Sequence, residues 1–238
     1  MEAFLFAALI VFVAASLQSS TGFGFSIIAT PLLLLVYEPR MAIQLNIILS
    51  LVVSTAMWPR IRAEIDRPML RRLIKSGLLG VPLGGVLFTY LDPQVLKLAI
   101  GILVLVVVGF LAAKFTFVAS RRGERIAGLF SGAFAASLGA PGPPMLIYFA
   151  GTTLDKAVIR STSLAFFLFA YGGALIAQVA MTSTDRGVWL GALALVPAVA
   201  VGTLAGQRLF GLIDQRLFSR VINVILAITG VYLLVASL

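Results

Sequence analysis

Ser137-Leu138-Gly139-Ala140-Pro141-Gly142-Pro143-Pro144 decides how this chain folds. It interrupts an otherwise apolar run, 126–150. No regular helix continues through it, because Gly is a weak helix former and Pro lacks the N–H that an interior turn needs. The arm beyond it, 143–150, would be about 12 Å long at helical rise. A bilayer hydrocarbon core is roughly 30 Å thick. The run therefore crosses once as a broken helix, or dips in and returns.

The charges choose between these. Of the 18 Lys and Arg, fifteen lie in four polar stretches, 59–75, 114–125, 151–160 and 207–220. Arg40, Lys97 and Arg186 fall singly in three other connections. Short loops rich in Lys and Arg stay cytoplasmic. If 126–150 makes no net crossing, 15 bases lie inside and 3 outside; if it crosses, 11 and 7. The first is the better solution, so 126–150 is expected to be a re-entrant broken hairpin. Six other runs are long enough, or nearly so, to span: 41–58, 76–91, 97–113, 161–181, 187–206 and 218–237. By parity, 1–37 starts and ends outside. Ser19-Ser20-Thr21-Gly22-Phe23-Gly24 breaks it into a second hairpin or two tilted spans.

Composition agrees. The 238 residues are 61% hydrophobic and 11% charged, with mean hydropathy +1.09; soluble domains carry roughly 25% charged residues. A net charge of +9 would suggest nucleic acid in a soluble protein. Here the bases are short clusters between apolar runs and face anionic lipid, so no nucleic-acid partner is expected. The chain has no Cys and no His, which excludes disulfides, thiolate or imidazole metal ligands, Cys nucleophiles and His bases. Neither a metal nor a cofactor is expected. Met1-Glu2 precedes the first apolar run without a basic region, so that run is expected to be a membrane segment, not a cleaved signal. All nine acids fall in termini or loops by this topology. Proton relays and cation sites usually place acids mid-span, so an anionic substrate is favoured.

The two halves resemble each other. Gly80, Gly84, Leu91 and Asp92 pair at one constant spacing with Gly202, Gly206, Ile213 and Asp214; Lys97 pairs with Arg220 one residue further. Upstream, Ser20-Thr21-Gly22 pairs with Ser137-Leu138-Gly139, and Pro31 with Pro144. Three spans and a hairpin per half make an odd number of crossings, so the second half is inverted. The expected fold is an all-α polytopic membrane protein of two inverted-topology repeats, each a broken re-entrant hairpin plus three transmembrane helices. The first repeat is 1–116 (hairpin 3–37, spans 41–58, 76–91 and 97–113), and 117–125 is a basic cytoplasmic linker. The second is 126–238 (hairpin 126–150, spans 161–181, 187–206 and 218–237). Both termini are expected outside the cell inner membrane. Inverted repeats with discontinuous helices are typical of secondary transporters. The GxxxG pairs are assigned to helix packing.

Irregular backbone at membrane depth survives only when buried or lining a wet cavity. The second arm of each hairpin begins at the break, near Phe25 and near Pro143, with free N–H groups and a positive dipole end. Two such ends meeting mid-membrane form an anion site from backbone. Gly22, Gly24, Gly139 and Gly142 allow close approach, and Pro143 and Pro144 suit a first turn. Ser20, Thr21, Ser26 and Ser137 add hydroxyls. In the following span Asn46, Ser50 and Ser54 share one face. Ser161, Thr162 and Ser163 open the equivalent span, where Gln44 and Arg160 occupy matching places. Arg160 is a counter-charge for an anion or a snorkelling cytoplasmic base.

These residues resemble the sulfite exporter TauE/SafE (TSUP) family of membrane permeases over essentially the whole chain. The first motif is Gly22-Phe-Gly-Phe-Ser-Ile-Ile-Ala-Thr-Pro31 followed by Ala42. The second is Gly139-Ala-Pro-Gly-Pro-Pro144 followed by Ala157. The family commonly has a run closer to Gly-x-Gly-Gly-Gly in the first break; here Phe23 and Phe25 intrude. In the second, Gly-Pro-Pro replaces the usual Gly-Gly run. The resemblance implies transport of sulfur-containing anions such as sulfite or organosulfonates, often outward. The expected protein is a transporter of a small anion by alternating access around two hairpin tips, in the bilayer, compatible with a homodimer. An anion channel of the same fold and a non-transporting membrane subunit are the alternatives. An enzyme is disfavoured because only Ser, Thr, Tyr, Lys and Arg remain for chemistry.

Overall fold

A computed structural model describes residues 2–113, 120–150, 152–182, 184–209, 224 and 227–236. The described residues are helical apart from short connections, with no strand among them. In chain order the helices are α1 Glu2–Thr21, α2 Phe25–Leu33, α3 Pro39–Ile61, α4 Arg67–Tyr90, α5 Pro93–Ala113, α6 Arg121–Leu138, α7 Gly142–Ala150, α8 Lys156–Met181 and α9 Arg186–Leu209. Residues 227–235 are helical too. The rest of the expected span 218–237 lies largely outside the described residues.

Six of these helices are long and apolar enough to cross a membrane: α1, α3, α4, α5, α8 and α9. Five coincide with expected spans. The sixth, α1, falls in 1–37, which was expected to be a second hairpin or two tilted spans. Its 20 residues reach about 30 Å, a full hydrocarbon thickness. The helices outrun the apolar stretches because polar residues cap them. Asp66 accepts from the Met69 N–H at 2.9 Å and Pro68 sits in the first turn, so α4 takes in Arg67, Arg71, Arg72 and Lys75. Ser120 accepts from the Gly123 N–H at 3.0 Å. This starts α6 inside what was expected to be the basic linker. Glu124, expected in a loop, is instead in the first turn of α6, buried and ion-paired with Arg72 of α4.

The packing alternates between the halves. Gly80 and Gly84 of α4 lie against the backbone of Leu129 and Ala133 of α6. Gly202 and Gly206 of α9 lie against Phe12 and Ser16 of α1. A β-carbon at any of these four would overlap backbone, so the small-residue pairs set close helix contact. At the centre, α3 packs on α8. In α3, Ile43, Leu45, Ile47, Leu49 and Val53 are fully buried, and so are Asn46, Ser50 and Ser54.

Loops fix the direction of that pair. The connection after α3 reaches the start of α8: Ser161 donates to Glu64 at 3.0 Å, and the Asp66 N–H donates to Thr162 at 3.1 Å. The connection after α8 reaches the start of α3, where Gln44 donates to Thr184 at 3.3 Å. The C-terminal end of each central helix thus lies beside the N-terminal end of the other.

Candidate functional site

Each break comes from left-handed glycines. Gly22 has φ 84°, Gly24 105° and Gly139 66°, a region that L side chains rarely enter. Gly139 closes α6, its N–H bonding back to Ala135 O at 3.2 Å. Gly24 precedes α2 as its N-cap. The short helices α2 and α7, nine residues each, then start at Phe25 and Gly142.

Each break is seated on the central helix of the other half. A β-carbon on Gly22 would come within 2.7 Å of Arg160 Cα and 2.9 Å of Arg160 O. One on Gly139 would lie 3.3 Å from Ile43 O. Ile43 follows Gly22 at the same spacing as Arg160 follows Gly139. Side chains complete the seats. The Arg160 guanidinium donates twice to Ser19 O near the end of α1, at 3.1 and 2.7 Å. The Asn46 amide donates to Gly139 O at 2.6 Å. Both bonds satisfy carbonyls that a helix end leaves unpaired.

The starts of the two short helices are neighbours. A β-carbon on Gly142 would sit 3.7 Å from Ser26 Oγ. The gap between α2, α5 and α7, lined by Ser26, Thr30, Ala140 and Pro143 among others, holds about 10 Å³, room for about one water. Around Ser26 gathers a buried polar group. The fully buried Tyr171 of α8 faces Ser26, Asn46 and Ser50. Asn46 Oδ1, Ser50 Oγ and Thr30 Oγ1 have no hydrogen-bond partner among the described residues. Because Gly139 O fixes which way the Asn46 amide points, its bare atom is an acceptor. Buried polar atoms without partners are rare and need a reason, such as a ligand or water.

The expected site residues divide into three groups. Ser26, Asn46, Gly139 and Gly142 come together with Tyr171 and Ser50. Gly22, Gly24 and Arg160 form the first break and its seat. The others, Pro143 excepted, are occupied elsewhere or stand apart. Ser20, Thr21 and Ser137 donate to Leu17 O, Leu17 O and Ala133 O of their own helices, at 2.9, 2.9 and 2.8 Å. Gln44 and Ser161 are held by the loop contacts described above. Ser163 is buried with its Oγ unpartnered among the described residues. Pro143 lines the small gap, and with Pro144 also lines an apolar cleft between α5, α6 and α7.

Several residues were missed. Tyr171 had a signal, a lone phenol inside the apolar run 161–181. Gln18 donates to Ser54 at 3.1 Å, and Gln178 to Ala136 O at 2.8 Å; both are buried amides in apolar runs. Phe23 of the first break packs edge-on against Phe149 of α7 and Phe167 of α8, with ring centres 6.0 and 5.8 Å apart. Only the fold brings those three rings together.

The model of the family described as Sulfite exporter TauE/SafE matches residues 7–233 of the chain. No curated protein and no solved structure matches it.

Proposed function

Because the chain belongs to the sulfite exporter TauE/SafE family, membrane transporters and not enzymes, we propose that it carries a small anion, sulfite or an organosulfonate. The route is alternating access around the tips of α2 and α7. The observation that carries this reading is the meeting of Ser26 and Gly142 at the starts of two short helices. Two dipole ends aimed at one buried place favour negative charge. The hydroxyls of Ser26, Ser50 and Tyr171 supply donors there. Asn46 Oδ1 accepts, so a ligand that also carries a donor, such as a protonated oxyanion, completes the group.

The inverted repeat belongs to this reading. Its support is the exchange of partners: α4 on α6 against α9 on α1, and Gly22 on Arg160 against Gly139 on Ile43. On this view α1–α2 and α6–α7 are the broken hairpins, both chain ends lie outside the cytoplasm, and the membrane is the inner one. The gap of about 10 Å³ is then an occluded state, and one half must rock against the other to admit the anion.

The test is flux into proteoliposomes with sulfite, sulfate, sulfoacetate, taurine and lactate, with and without Na⁺. Saturable uptake with counterflow of sulfite or a sulfonate supports a carrier; flux that ignores substrate on the far side makes it a channel. Gly142→Leu places a branched side chain between the tips and is expected to abolish transport. Gly142→Ala meets nothing nearer than 3.7 Å and is expected to keep it. Equal transport in both variants overturns the location of the site.

A further inference from the structure

A cleft of about 830 Å³ opens between α5, α6 and α7. Its walls are apolar, including Ile102, Val106, Ile126, Phe130 and Phe134. Ile102, Val106, Ile126 and Phe130 are exposed there. One end carries Ser120 and Arg122, and the other reaches Pro143 and Pro144 at the start of α7. Arg121, Arg122 and Arg125 are all exposed. The acid of that turn, Glu124, is engaged by Arg72 of α4 instead.

We propose that this cleft binds one anionic phospholipid. Its phosphate is held by Arg122, and an acyl chain runs along Ile102, Val106 and Phe130 toward α7. The charge distribution selects this occupant. A basic mouth on an apolar trough between membrane helices matches an anionic headgroup with its tail, and Arg suits phosphate through its paired donors. A second copy meeting this face about a two-fold axis along the membrane normal would bring like-charged Arg clusters to the same depth, which is unfavourable. The inference is independent of the transported anion and needs only that the chain lies in a bilayer.

The experiment uses the purified full chain, stripped of lipid and titrated with phosphatidylglycerol or phosphatidylcholine, with retained lipid counted by native mass spectrometry. Phosphatidylglycerol is expected to bind about fivefold tighter, as one arginine near a phosphate implies. The preference is expected to vanish in R122Q, and I102W, which fills the trough, is expected to release both lipids. Equal binding by the parent protein, or an unchanged preference in R122Q, overturns the proposal. A second measurement does not depend on those variants folding. The chain has no Cys, so F130C takes a single bimane label. Stronger quenching by brominated phosphatidylglycerol than by brominated phosphatidylcholine supports the site; equal quenching overturns it. Disulfide-linked dimers of unlabelled F130C assign the face to a second copy and overturn it as well.

Discussion

At the first break a partly buried guanidinium, Arg160, donates twice to Ser19 O; at the second a fully buried amide, Asn46, donates once to Gly139 O. Both anchors come from the central helix of the opposite half. Their chemistry follows their depth. Arg160 stands in the first turns of α8 beside the Glu64 loop, where a charge keeps polar company. Asn46 stands inside α3, where an unpaired charge would be costly. The linings diverge as well. Phe23, Phe149 and Phe167 meet at the first break, while the residues at matching spacing in the other half are Ala140, Leu32 and Ser50. One break thus carries an aromatic contact where residues at the same spacing by the other are Ala, Leu and Ser. Two glycine breaks seated on opposite central helices need not do the same work.

The largest way to break this comparison is Gly22→Val. The added carbons would enter the Arg160 backbone at a positive φ, so loss of folded protein is expected, measured as monodisperse yield on gel filtration. Gly139→Val is also expected to destabilise through its φ. It meets looser neighbours, the nearest being Asn46 Nδ2 at 3.0 Å, so its loss should be smaller. Equal losses would mean that strain alone, and not the seat, sets the cost.

Next is Asn46→Leu, which strips Gly139 O of its buried donor. A cost of about 1–3 kcal/mol is expected, read as a lowered midpoint of thermal unfolding, together with loss of anion flux. Arg160 sharpens the contrast. Arg160→Lys keeps the charge and loses the paired donation; Arg160→Gln loses the charge. If Arg160 only anchors α1, both variants lower thermal stability and leave the KM for the transported anion unchanged. A KM raised in Arg160→Gln alone marks the guanidinium as a counter-charge.

The smallest expected effect is Phe149→Leu. It retains most apolar burial and removes the ring contacts with Phe23 and Tyr148, each pair worth about 0.5–1.5 kcal/mol. A shift of a few degrees in unfolding, with transport intact, is the expected result. Faster flux in that variant would assign the rings a gating role.

Much of the frame was legible because it rests on local chemistry. Apolar runs long enough to span marked α3, α4, α5, α8 and α9, and glycines, joined by prolines at the second, marked the two breaks. Helix starts were misplaced where caps decided them, as with Asp66 and Ser120, because an apolar scan stops at the first charge. Glu124 was misread for the same reason: nothing nearby in sequence announces that Arg72, on another helix, compensates it. The candidate site was legible only in part. Ser26, Asn46, Gly139 and Gly142 stood out by type and position. Tyr171, Gln18 and Gln178 look like ordinary members of apolar helices until packing shows what they face. Conversely, the hydroxyls of Ser20, Thr21 and Ser137 looked available, yet each is donated to its own helix, a habit of Ser and Thr in apolar surroundings.

The contact between α1 and α9 has a consequence for how the protein is made. Ser16 donates to Gly202 O at 2.9 Å across 186 residues of chain. Synthesis delivers α1 well before α9, so α1 must wait in the bilayer without the partner of its Phe12–Ser16 face. Contacts so distant in sequence close late and leave partly assembled chains exposed. A ribosome that stops before α9 therefore releases a chain whose α1 has no seat, a ready mark for membrane proteases that clear unfinished products.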